Sequence, residues 1–151
     1  MNHESLNEIK LLLAAEERPI VFLATVDPEG KPRVRPLNLM STPRGFYIAT
    51  SKKSRKIREL KGSDAVEMVT IFPTEKGTGY LRITGKAREV NGQEKRSTIE
   101  ETHYPVEKYW NGVDDPDFMV FRIDPERVEY IRPGEDDPMD VTATFSRSTR
   151  K

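Results

Sequence analysis

The sequence predicts a mainly β protein, a β-barrel of six to seven short antiparallel strands with a few flanking helices. Three observations lead there. Short β-rich apolar runs recur along the chain with Pro, Gly and Asp turn chemistry between them. One run alternates strictly, with Leu81, Ile83, Gly85 and Ala87 set against Arg82, Thr84, Lys86 and Arg88, the period of a half-buried strand. Few segments switch to helical spacing. Short strands joined by hairpins cover their edges by closing, or nearly closing, on themselves. At 151 residues the chain suits one domain, 1–151.

Each element can be justified in turn. Residues 4–17 place Leu6, Ile9, Leu12 and Leu13 on one helical face, and Pro19 ends the helix. Ile20 to Val26 is a strand, and DPEGKP at 27–32 turns the chain into a second strand, Arg33 to Met40. Pro36 cannot donate to a ladder, so this strand is expected at an edge or bulged there. Gly45 to Thr50 forms a third strand, and Ser51 to Leu60 a helix with Ser51 as its N-cap and Ile57 and Leu60 inward. Ala65 to Phe72 and Tyr80 to Val90 are strands joined by PTEKGTG, in which GTG is a turn. Residues 91–111 read as one or two short helices broken near Tyr104–Pro105. Phe118 to Ile123 and Arg127 to Arg132 read as two late strands, and 133–151 as an irregular, polar C-terminal arm.

Composition excludes several chemistries. There is no Cys, so there is no disulfide framework, thiolate metal site or Cys nucleophile. Two His, His3 and His103, make a multi-histidine metal centre unexpected. Lys+Arg and Asp+Glu balance at 25 each, which gives no reason to expect nucleic acid as a partner. No stretch approaches the roughly 20 apolar residues of a membrane span, and the N-terminus lacks a secretory pattern, so a cytoplasmic protein is expected.

The informative segment is FYIATSKKSRKIRELK at 46–61. A strand runs into a turn with three hydroxyls, Thr50, Ser51 and Ser54, and then a helix start crowded by Lys52, Lys53, Arg55 and Lys56. A helix start carries partial positive charge, so four cations there are unfavourable unless an anion is bound. Free backbone N–H groups, hydroxyls and an Arg–Lys pair suit a phosphate dianion. The same residues also read as a solvated basic turn or a weak nucleic-acid patch. Arg35, beside Pro36 where the backbone cannot pair fully, could meet a planar ligand or stand exposed on an edge strand. There is no glycine-rich phosphate loop. Asp114–Asp115 and Asp136–Asp137 read as loop-solvating pairs, His103 as a surface residue, and Tyr109 and Trp110 as core or subunit-contact residues.

FLATVDPEGKPRVRPLNL, GFYIATSKKSRKIREL, AVEMVTIF and LRITGKAREV, in this order, resemble the pyridoxamine 5′-phosphate oxidase-like, FMN-binding split-barrel family. The likeness covers roughly residues 20–90 and continues weakly through VFRIDPERVEYI. Its most specific element is Thr50-x-x-x-Ser54-Arg55-Lys56 before a helix. The resemblance implies a split barrel that dimerises with FMN at the interface. Arg35 matches the strand Arg on the phosphate side, Ser54 precedes the phosphate-binding pair Arg55 and Lys56, and Pro36, Leu37, Asn38, Ala49, Thr50 and Ser51 border the isoalloxazine ring.

Two departures separate the chain from true pyridoxamine-phosphate oxidases. Tyr80 stands nearest the position of a flavin-contacting Gln, and 132–138 is acidic where those enzymes carry an Arg/His-rich substrate grip. The chain resembles the smaller, general-stress-protein-like branch more closely. The resemblance therefore implies an FMN-dependent oxidoreductase acting on a small molecule other than vitamin B6. Its alternatives are a non-catalytic flavin carrier or electron-transfer module, or a split barrel holding F420 or haem. Haem would need His103 as its axial ligand.

Overall fold

The computed structural model describes the backbone of residues 3–148 and the side chains of residues 4–145. The elements are α1 (His3–Ala14), β1 (Ile20–Val26), β2 (Pro32–Asn38), β3 (Met40–Thr42), β4 (Gly45–Ser51), α2 (Arg55–Gly62), β5 (Ala65–Thr74), β6 (Gly77–Val90), α3 (Gly92–Thr102), a 3-10 turn (Val106–Lys108), β7 (Phe118–Ile131), β8 (Met139–Asp140) and α4 (Thr142–Ser148). All the strands join one antiparallel sheet in the order β2-β1-β5-β6-β7-β4-β3, with β8 added to β7. The curled sheet is mainly β and split rather than closed, since the path ends at β2 on one side and β3 on the other.

The period-two pattern sorts side chains between two cores. Inward residues such as Leu23, Met68, Ile83, Ile123, Phe46 and Ile48 meet Ile9 and Leu13 of α1 and Ile57 and Leu60 of α2. The opposite face of β4, β6 and β7 offers Tyr47, Val90, Phe118 and Val120 to Ile99 of α3 and to Val106. Each such side chain taken fully from water stabilises the fold by about 1.5–3 kcal/mol. α3 is further tied down through Glu94, which accepts from Tyr47 Oη at 2.8 Å and Arg122 Nη1 at 3.2 Å.

Several boundaries differ from the sequence reading. The second strand stops at Asn38: Leu39, next in register, still bonds the Pro19 carbonyl at 2.7 Å, but Pro19 has no N–H to return the bond, and β3 begins after it. Pro36 does lie on a terminal strand, opposite Phe22. Gly77–Gly79 belong to β6, and Glu75 and Lys76 alone make the turn. The two late strands are one, because the sheet absorbs Pro125 and Glu126 in a bulge facing Gly85. A Cβ at Gly85 would come 2.2 Å from the Asp124 carbonyl oxygen, so the close approach requires glycine. The C-terminal segment is not an irregular arm over its described part. It adds β8 and α4, and its Val141 and Phe145 are 5% exposed within the main core. Its apolar positions are too few to give a period, which is why the sequence reads as polar loop. Residues 149–151 of that arm, and the side chain of His3, lie outside the described residues.

Trp110 packs on Phe118 with ring centroids 4.7 Å apart, while Tyr109 is exposed. Among the described residues no helix is long and apolar enough to cross a membrane.

Candidate functional site

The split in the barrel leaves backbone unpaired where β4 runs on past β3. β3 pairs only with Gly45–Tyr47 of β4, so on that side no described strand pairs with Ile48–Ser51. β2, the other free edge, passes close to β4 without joining it in the sheet. Pro36, Leu37 and Asn38 thus lie along one bank of a seam, and Ala49, Thr50 and Ser51 belong to the other. Unpaired main-chain donors and acceptors need a partner, whether water or ligand.

α2 starts where this seam ends. Its N-cap is Ser54, not Ser51: Ser54 is extended at φ −68° and ψ 147°, and its Oγ accepts the Lys56 N–H at 3.2 Å. Ser51 closes the preceding turn by accepting the Ser54 N–H, and its hydroxyl donates to Asp117. The cap shifts by three residues because the turn needs Ser51 first. Lys52 and Lys53 consequently fall outside the helix, which leaves only Arg55 and Lys56 in its first turn.

Lys56 turns back over the cap, so that its Nζ lies 2.9 Å from Ser54 Oγ. Burial, aided by the nearby charge of Arg35 and opposed by Glu59, holds its ammonium below the ordinary lysine value. Arg35 reaches inward from β2: Nη2 donates to Glu59 Oε1 at 2.6 Å, and Nη1 to Thr25 Oγ1 at 2.7 Å and the Leu23 carbonyl at 3.3 Å. Those three bonds leave two of its five N–H donors without a partner among the described residues. Thr25 in turn donates to Glu59. Burial pushes the Glu59 carboxyl up, but the bonds from Thr25 and Arg35, with Arg35's charge, more than offset it and hold it below its usual value. Two cations thus share one buried carboxylate, and the surplus is positive.

The structure therefore brings Arg35, Ser54 and Lys56 together and separates Arg55 from them. Arg55 is exposed and lines a hollow of about 320 Å³ with Asp27, Arg33, Arg58 and Glu59, so it shares the cluster's carboxylate but not the side of Arg35, Ser54 and Lys56. Thr50 carries another feature. It is 4% exposed, and its Oγ1 has no hydrogen-bond partner among the described residues. Thr25 and Glu59 were not singled out by sequence reasoning. Thr25 continues the inward period of Val21 and Leu23, and Glu59 stands three residues after Lys56 on the same helical side, so spacing held a usable signal for both.

Among the described residues no group of three or more His, Asp or Glu side chains is placed to hold a metal. His103, the left-handed C-cap of α3 with φ 52°, is exposed. It opens on a separate hollow of about 460 Å³ that includes none of Arg35, Ser54 or Lys56. Asp115 accepts from the N–H groups of Asn111 and Asp117, which bind its loop together and hold its carboxyl below the usual range.

Comparison with known proteins agrees with this architecture. The chain is 28% identical over 142 residues to general stress protein 26 of Bacillus subtilis, covering 93% of this chain and 99% of that one. A Clostridium acetobutylicum protein related to general stress protein 26 superposes with a TM-score of 0.71 at 19% identity, over 96% of this chain and 100% of that chain. A haem-binding protein from Mycobacterium smegmatis superposes at 0.73 and 18% identity over 89% of this chain, which spans only 57% of that protein. The family model for pyridoxamine 5′-phosphate oxidase matches residues 7–132, and the chain belongs to that family.

Proposed function

We propose that this protein is an FMN-binding flavoprotein, a flavin-dependent oxidoreductase acting on a small molecule in the cytoplasm. The observation that carries the reading is the Arg35–Ser54–Lys56 cluster, with its surplus positive charge, at the end of a seam of unpaired backbone. Ser54 Oγ already accepts two N–H bonds, from the main chain and the ammonium of Lys56, so its own O–H is left to donate. Arg35 has donors to spare, and the start of α2 adds its partial positive charge. A phosphate is the ligand these groups suit.

The residues fit FMN on a second count. The buried Thr50 hydroxyl without a partner costs stability as it stands, and a polar ligand in the seam would satisfy it. In this reading Arg35, Ser54 and Lys56 hold the phosphate. The backbone of Pro36–Asn38 and Ala49–Ser51 meets the edge of the ring, and Arg55 adds charge from the rim. FMN, when bound, supplies the electron-transfer chemistry, and the protein binds and orients it.

The partner in this reading is a second copy of the chain, with FMN at the interface. Ile20 and Phe22 of β1, Val34 of β2 and Ile71 of β5 stay 40–68% exposed. Phe22 pairs across with both Pro36 and Val69, so these side chains form one apolar sheet face. Covering such a face with its own copy removes it from water.

The test is the visible absorbance of the purified protein before and after FMN is added, with mass analysis of any released ligand. A stoichiometric flavin spectrum supports the reading. A Soret band supports haem and directs attention to His103, and a deazaflavin spectrum replaces FMN by F420 on the same anchor. A colourless protein that ignores FMN overturns it. Anaerobic reduction by NADH or NADPH, followed by transfer to an acceptor, separates an oxidoreductase from a flavin carrier.

A further inference from the structure

We infer that Glu59 is a positioning residue: with Thr25, it holds the Arg35 guanidinium in a ligand-ready orientation before any phosphate arrives. The inference rests on the phosphate-binding reading of the cluster.

Charge alone argues against an acid at this place. Glu59 Oε1 lies 2.6 Å from Arg35 Nη2, and its negative charge weakens the field that a phosphate would meet. A neutral residue would leave the site more positive. Burial argues against it too, because Glu59 is 4% exposed and a carboxylate is seldom buried unless it is paired. What the acid supplies is geometry. The Arg35 side chain has four rotatable bonds and reaches in from a terminal strand, so its polar contacts settle where the guanidinium points.

Two side-chain contacts and the Leu23 carbonyl hold it. Glu59 takes Nη2, Thr25 takes Nη1, and Thr25 and Glu59 are joined by the threonine's own hydroxyl. The triangle links β1, β2 and α2, so the guanidinium is fixed relative to the helix start that carries Ser54 and Lys56. Three of the five donors are used for orientation and two remain for a ligand. Ordering the arginine in advance removes that cost from binding.

The glutamate's hydrogen bonds, rather than its charge, perform this work. Both fall on Oε1, so the amide oxygen of a glutamine reproduces them. The experiment compares the dissociation constants of FMN and riboflavin, which differ only in the phosphate, for the full-length chain and three variants. Glu59→Ala is expected to weaken FMN about tenfold and leave riboflavin unchanged, as the loss of a pre-ordered charged contact requires. Glu59→Gln is expected to keep FMN affinity or tighten it. Thr25→Val, which removes one corner of the triangle, is expected to weaken FMN about threefold without touching riboflavin.

Unchanged FMN affinity in Glu59→Ala overturns the inference. So does an equal loss for FMN and riboflavin, which marks a merely structural role. If Glu59→Ala does not fold, Thr25→Val decides by the same criteria. A second readout separates this inference from the flavin reading. In the ligand-free protein, the Arg35 guanidinium N–H resonances are expected to be resolved in the wild type and in Glu59→Gln, and averaged in Glu59→Ala. Averaging already present in the wild type overturns the positioning role whether or not FMN binds. Resolved resonances in a protein that ignores FMN overturn the flavin reading and leave the positioning of Arg35 standing.

Discussion

Lys56 Nζ and Ser54 Oγ stand 2.9 Å apart, and the same oxygen caps the helix on which Lys56 sits. The contact is half-buried, and the ammonium titrates below the ordinary lysine value near 10.5 because burial disfavours its charge. Binding a dianion raises that value again. FMN affinity is therefore expected to be full near neutrality and to fall as pH rises through the free-protein value of Lys56, earlier than an ordinary lysine would cause. The phosphate's second ionisation lies near pH 6 and does not contribute there. Ligand-free stability runs the other way. Between the lowered native value and the ordinary one the unfolded chain holds more protons, so stability rises with pH across that window. Flavin titrations and denaturant melts over the same alkaline range check both signs, and Lys56→Met should flatten both curves.

The divergence of Arg55 from Lys56 makes their single substitutions unequal. Lys56→Ala is expected to weaken FMN by about 1.5–3 kcal/mol, the worth of a charge-assisted bond. Arg55→Ala, exposed on the rim, should cost under about 1 kcal/mol. The double variant should lose roughly 2–4 kcal/mol, most of it from Lys56. Equal single effects, measured by fluorescence titration, would contradict the placement of the two side chains.

Thr50 offers a test with opposed outcomes. Its Oγ1 is buried and has no partner among the described residues, so Thr50→Val should leave ligand-free stability unchanged or raise it by about 1 kcal/mol. The same change should weaken FMN by about 1 kcal/mol if that hydroxyl bonds the ligand. A loss of stability in the ligand-free variant shows that the hydroxyl has a partner in solution.

The C-terminal segment should behave as part of the core. Phe145 stacks on Phe46 with centroids 5.6 Å apart, and Phe145→Ala is expected to cost about 3–5 kcal/mol of stability. Chemical denaturation of the variant measures it directly. A change within about 0.5 kcal/mol would mean that α4 is not docked in solution.

Val34, 68% exposed on β2, lies on the apolar sheet face. Val34→Lys should shift a homodimer toward monomer in sedimentation analysis and leave the monomer folded. An unchanged mass, whether monomer or dimer, removes this face from the interface.

Much of the architecture was legible in sequence because the sheet obeys its period. The alternation around Leu81 and Ile83, the edge position of Pro36 and the break near Tyr104–Pro105 all follow from local chemistry. What escaped depends on distant partners. The ladder of β2 ends where Leu39 meets Pro19, which has no N–H to return its bond, and Phe145 buries itself against Phe46 about a hundred residues earlier. The site divides in the same way. The basic helix start could be read from SKKSRK, but not the order of its two serines, since either can cap a helix and only the turn geometry selects Ser54. Glu59 was hidden because an acid among lysines reads as a solvated face until Arg35 is brought to it from another strand.

β3 ends after three residues, and this has a consequence for how the protein can change. Where a pocket is lined by side chains, a single substitution can erase a contact. Along Ile48–Ser51 the groups on offer, the Thr50 hydroxyl apart, belong to the main chain, which no substitution removes. On the flavin reading the seam can therefore tolerate drift in its side chains while still receiving the edge of a flat ligand, and selectivity falls to Arg35 and the few residues at the α2 start that would grip the ligand's charged tail. A scaffold built this way can exchange one planar ligand for another by altering that anchor, leaving the barrel as it is.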